Sequence, residues 1–201
     1  MFGIDLASFK ALNSVLHVMR STFMYLVLFG FVLSCTSIKM STASEVEVLT
    51  TLITTKSFEF TADWANPVVT QSLTAVANMG LIPPGSTISR INLAGNPNYL
   101  KVFGDSVSAN LPYFGERQFG GGYGSSTGIE FNAIAEDYVQ RFVADKGIYN
   151  ISFKVKNKTE QYNVMMRVYP NKSTSISVNT SNRLSIRYDG EVKALKKRPK
   201  Q

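Results

Sequence analysis

"YNISFKVKNK", residues 149–158, decides the fold. Tyr149, Ile151, Phe153 and Val155 fall on one side of a two-residue pattern, and Asn150, Ser152, Lys154 and Lys156 on the other. An extended chain turns successive side chains to opposite faces, so the stretch predicts a strand with one apolar and one wet face. The rhythm continues on both sides. Downstream, "YNVMMRVYP" brings Tyr162, Val164, Met166 and Val168 together, and "NRLSIRYDG" aligns Leu184, Ile186 and Tyr188. Upstream, "DSVSANLPYF" aligns Val107, Ala109, Leu111 and Tyr113, and "SFEFTADW" puts Phe58 and Phe60 on one face. Turn-forming stretches separate the runs: "DKG", "NKTE", "PNKS", "NTSN" and "DG". Short strands with one apolar face predict a mainly-β domain over residues 44–192. It is a single antiparallel β-barrel or, alternatively, a β-sandwich.

Two segments break the rhythm. "SEVEVLTTLITTK", residues 44–56, has Ser44 as a candidate N-cap, acids in its first turn and helical spacing of Val46, Leu49, Leu52 and Ile53. It predicts a short N-terminal helix. "PVVTQSLTAVANMGLIPPGS", residues 67–86, predicts a second short helix at 71–79, closed by Gly80. That insertion is either a cap over one end of the sheet or a surface excursion without a role.

The start of the chain reads as an export signal. Arg20 precedes the apolar run "FMYLVLFGFVL" at 23–33, which is about half the roughly 20 residues a membrane span needs. "VLSC" follows, and resembles a bacterial lipobox, in which the cysteine is acylated and becomes the new N-terminus. Cys35 is the only cysteine and ends the apolar run. The expected organisation is a leader over 1–35 with its lipidation site at Cys35, a tether over 36–43, the barrel, and a basic mobile tail over 193–201. Met19 is an alternative start. A lipid anchor at Cys35 would hold the protein on a membrane, in the periplasm or at the outer membrane.

His17, the one histidine, lies in the part expected to be removed. A mature chain without histidine or free thiol has no Ser-His-Asp triad, no Cys-His pair and no zinc site built on such ligands. No cofactor or metal is called for, and the expectation is a protein that is not an enzyme. Carboxylates are the remaining acid–base groups: Asp105, Glu116, Glu130, Glu136 and Asp137. A carboxylate-dependent hydrolase acting on glycans is therefore the alternative, and it would need two of them held across a sugar.

The net charge of +7 owes much to the tail, where Lys193, Lys196, Lys197, Arg198 and Lys200 meet no acid. Lys154, Lys156 and Lys158 form a stripe, but the aromatics of that strand face the other way. A nucleic-acid platform would interleave the two, so no nucleic-acid partner is expected. The glycines at 120–122 and 124 fit neither the dinucleotide nor the P-loop spacing, and "GIEF" after them is a strand pattern rather than a helix. They read as a connection whose aromatics pack on the sheet or line a mouth for a small apolar ligand. Tyr113, Phe114 and Tyr123 are the candidate ligand-binding residues there, with inward Phe153 and Met166. The last two serve equally well as core. The partner is then a small apolar ligand or an envelope protein.

"KSFEFTADWANP", "YLKVFGDSVSANLPYFG" and "YGSSTGIEF", with "SISVNTSNRLSIRYDG" near the end, resemble an uncharacterised family of Bacteroidetes exported proteins, domain of unknown function 4251. The resemblance spans about residues 45–192. It implies a lipocalin-like barrel, and it brings no activity and no functional residues with it.

Overall fold

The computed structural model describes residues 19–20, 42–119, 127–157 and 160–195. The chain divides into Met1–Met40 and Ser41–Gln201. The first unit is represented by helical Met19 and Arg20, and the second carries the architecture below. His17, the apolar run at 23–33, Cys35, the glycines at 120–124 with Tyr123, Lys158 and the tail from Lys196 lie outside the described residues.

The domain opens with helix α1, Ala43–Thr54. Its N-cap is Thr42 rather than Ser44. The Thr42 hydroxyl accepts from the Glu45 N–H, and the Glu45 carboxylate accepts from the Thr42 N–H, a reciprocal capping box. Leu49 and Ile53 point into the core with no exposure. Lys56 then turns the chain at φ 46°.

The strands follow: β1 (Ser57–Pro67), β2 (Ile91–Asn92), β3 (Tyr99–Phe103), β4 (Ser106–Leu111), β5 (Ile129–Ile134), β6 (Glu136–Val143), β7 (Ile148–Asn157), β8 (Glu160–Val168), β9 (Ser173–Thr180) and β10 (Ile186–Ala194). Helix α2, Gln71–Asn78, lies between β1 and β2, and Gly80 ends it at φ 72°. Just before β2, Thr87 and Arg90 pair with each other across a tight turn. At the other end, β10 runs through Ala194, with Lys193 opposite Glu59, so Lys193 belongs to the strand and not to the tail.

Every pairing between these strands is antiparallel, in the order β5-β4-β3-β1-β10-β9-β8-β7-β6. The two ends of that ladder, β5 and β6, are consecutive in the chain. They form one run bent at Ala135: its first half pairs with β4, its second with β7. The sheet therefore curls into a nearly closed barrel, which removes most of the open edge that a flat sheet would leave. The Ala135 N–H donates to the Asp105 carbonyl at 2.8 Å and holds the bend. A bulge follows at once. Glu136 faces Lys154 and Val139 faces Ser152, leaving Asp137 and Tyr138 opposite Phe153 alone. Asp137 takes φ 52°, a conformation aspartate tolerates better than most residues.

The alternation read from the sequence is the barrel's inside and outside. Ile151, Phe153 and Val155 of β7, Tyr162, Val164, Met166 and Val168 of β8, and Ile186, Tyr188 and Val192 of β10 are all buried. They join Phe58 and Phe60 of β1 in one cluster. Each such apolar side chain contributes roughly 1.5–3 kcal/mol by leaving water.

Candidate functional site

The barrel interior is a packed core. Phe153 and Met166, the two inward ligand candidates, are 1% and 2% exposed. Phe153 lies against Tyr138, ring centroids 6.1 Å apart. Lys56 Nζ sits 4.5 Å from the other ring of that stack, Tyr138, whose phenol burial pushes up to about 12. Met166 is registered between Ile151 and Ile176.

One barrel end gathers the β4–β5, β7–β8 and β9–β10 connections and the departure to α2. A strap at 112–119 crosses it. Tyr113 and Phe114 are half-buried and pack against the core. The Tyr113 hydroxyl donates to the Leu184 carbonyl at 3.0 Å, with the Glu116 carbonyl at 3.1 Å. Leu184 N–H donates back to Glu116, and Gln118 N–H to Asn182, so the strap runs beside the β9–β10 turn. Bonds from Ser72 and Thr70 hold the Glu116 carboxyl below its usual range and join the strap to the start of α2. Tyr188, fully buried, donates to the Pro112 carbonyl at 2.8 Å.

Beneath the strap lies a buried ion pair. Arg183 Nε is 3.0 Å from Glu160 Oε1, and its Nη2 donates to Oε2 at 3.1 Å. Tyr162 also donates to Oε2, at 3.0 Å, and Arg183 Nη1 donates to the Thr127 carbonyl. Burial works against the Glu160 charge, but the guanidinium overrides it and holds the carboxyl below its usual range. Burial pushes the Tyr162 phenol up to about 12, with the adjacent Glu160 charge adding to it. Glu160 sits in the turn-like "NKTE" and Arg183 at the start of the run "NRLSIRYDG", and neither is among the residues singled out from sequence. The signal was present: Glu160 is in phase with Tyr162, Val164 and Met166.

Three of the carboxylates considered for hydrolysis are paired with lysines. Asp105 pairs with Lys56, Asp137 with Lys154 at 2.8 Å, and Glu136 with Lys156. Glu130 is exposed on β5. The lysine stripe of β7 thus faces the acids of β6. Among the described residues, no group of three or more His, Cys, Asp or Glu side chains is placed to hold a metal ion.

A cleft lies on the outside of the sheet. A concavity of about 830 Å³ opens over the outer face of β6 to β10. Antiparallel register builds it in two rows. Arg141, Asn150, Arg167, Ser175 and Asp189 lie side by side across the five strands, and Val139, Ser152, Met165, Ser177 and Arg187 form the next row. Arg187 approaches Asp189 at 3.8 Å, and Asp189 accepts from Asn66 at 2.8 Å. The three arginines are far apart in the chain, and only the register brings them together.

A nearly closed antiparallel barrel with a buried apolar core and an outward-facing polar cleft is the class of protein defined here. The chain belongs to the family described as "Domain of unknown function (DUF4251)", whose model matches residues 41–192. It is similar to the crystal structure of a DUF4251 family protein from Bacteroides eggerthii. The two share 11% identity over 76% of this chain and 89% of that one, with a TM-score of 0.50. No curated protein matches the chain.

Proposed function

We propose that this is an exported envelope protein, tethered to a membrane by acylation of Cys35, whose barrel is a non-catalytic recognition module. It meets its ligand or partner on its outer face. The observation that carries this reading is the contrast between the two sides of the sheet. Phe58, Phe60, Phe153 and Tyr188 fill the interior, whereas a cleft of about 830 Å³ opens outside. That volume lies within the roughly 300–1,000 Å³ usual for binding sites. Support for the anchor comes from the 23–33 apolar run, which the only cysteine follows two residues later. The test is metabolic labelling with palmitate of the full chain and of Cys35→Ala. Label on the parent and none on the variant is the expected result. Equal label on both, or none on either, overturns the tether.

A further inference from the structure

We infer that the outer cleft recognises an acidic saccharide, a hydroxyl-rich molecule carrying carboxylate or phosphate groups. This deepens the proposed recognition role and rests on it. Three observations point the same way.

The first is charge. Arg141, Arg167 and Arg187 line the cleft, and Asp189 is the acid among its lining residues. Arg187 is already drawn toward Asp189, so Arg141 and Arg167 carry most of the attraction for an anion. A guanidinium binds carboxylate or phosphate through a planar fork of donors.

The second is the floor. Between the arginines lie Asn150, Ser152, Ser175 and Ser177, short neutral groups that donate and accept hydrogen bonds. Sugar hydroxyls ask for such partners. The arginine-bearing rows cross paired strands, so Arg141 and Arg167 stand on β6 and β8, two strand spacings or about 10 Å apart. Anionic groups on separate sugar units match that spacing.

The third concerns the backbone. A peptide that joins a sheet does so at an open edge, where unpaired N–H and C=O groups are offered. The cleft floor is made by β7, β8 and β9, each paired on both sides, so their ladders are already engaged. Recognition here must come from side chains, which favours the saccharide over an extended acidic peptide.

The experiment is calorimetric titration of the full chain in detergent, at low and moderate salt. Four probes are used: a uronate tetrasaccharide, a phosphorylated tetrasaccharide, a neutral tetrasaccharide and an oligo-aspartate of matched charge. At least one acidic saccharide is expected to bind at least about tenfold tighter than the neutral sugar and the oligo-aspartate. Which of the two acidic probes binds names the anionic group. Binding should weaken with salt. Arg141→Ala and Arg167→Ala should each weaken it roughly ten- to hundredfold, with melting unchanged. Arg167→Lys, which keeps the charge and loses the fork, serves as the second variant and should fall between. The inference is overturned if neither acidic saccharide outbinds the neutral one, if oligo-aspartate binds as well, or if the alanine variants bind like the parent. Palmitate labelling at Cys35 does not depend on these arginines, so failure here is separable from failure of the tether.

Discussion

Arg183 and Glu160, 4% and 7% exposed, meet through two nitrogens and two oxygens beneath the strap that crosses one barrel end. Removing one partner leaves the other charged and buried, which costs far more than the pair itself contributes. Arg183→Leu is expected to lose about 3–5 kcal/mol in urea denaturation, while Glu160→Leu/Arg183→Leu recovers most of it. The pH dependence follows from the lowered Glu160 carboxyl. Its contribution is complete above the ordinary glutamate value, about 4.3. It is lost as the pH falls through the lower folded value. A single variant costing less than about 1 kcal/mol would show that the pair does not hold this end.

Asn98 stands in for a missing strand. Its Oδ1 accepts from the Ala62 N–H at 2.8 Å and its Nδ2 donates to the Ala62 carbonyl at 2.9 Å, beside the irregularity in β1 between Ala62 and Trp64. Asn98→Ala leaves both buried backbone groups unpaired. The expected loss is roughly 2–4 kcal/mol by chemical denaturation, with faster amide exchange at Ala62. Unaltered exchange there would contradict the role.

Gly190 lies across the same irregularity. A β-carbon at this position would overlap the Thr61 carbonyl. Backbone cannot swing aside as a side chain does, so Gly190→Ala should cost at least about 1–3 kcal/mol. A melting temperature equal to the parent's would mean that β1 and β10 have room to part.

Tyrosine titration probes the core from the alkaline side. The Tyr138 and Tyr162 phenols are pushed up to about 12, mainly by burial, and that of Tyr188 higher still. Unfolded tyrosine ionises near 10. The folded values are raised, so the stability they contribute is present below about pH 10 and is lost as the pH climbs toward the folded values. Spectrophotometric titration should show a group of phenols that ionise only as the protein unfolds. Smooth ionisation of all nine near 10 would contradict the burial.

The barrel was legible because its signal is local. Ile151, Phe153 and Val155 alternate with polar residues within one short stretch, and the same holds for Tyr162 to Val168. What depends on register was not legible. Asp137 reads as an ordinary polar residue until the bend at Ala135 and the bulge require its positive φ. Asn98 and Ala62 meet across 36 residues. The cleft is the extreme case: Arg141, Arg167 and Arg187 come from three strands and share a surface only after β6 to β10 have paired. The aromatics after β4 are the other case in point. Tyr113 and Phe114 pack on the barrel end, and Tyr123 lies outside the described residues.

The central claim is that the barrel is filled by its own side chains and works through its outer face. Native mass spectrometry of the full chain after mild extraction from the envelope tests it most directly. The predicted spectrum shows the chain with its covalently attached acyl groups and no apolar small molecule released on activation. A stoichiometric apolar ligand that leaves on activation, and is lost in a Phe153→Trp variant that overfills the interior, would contradict it.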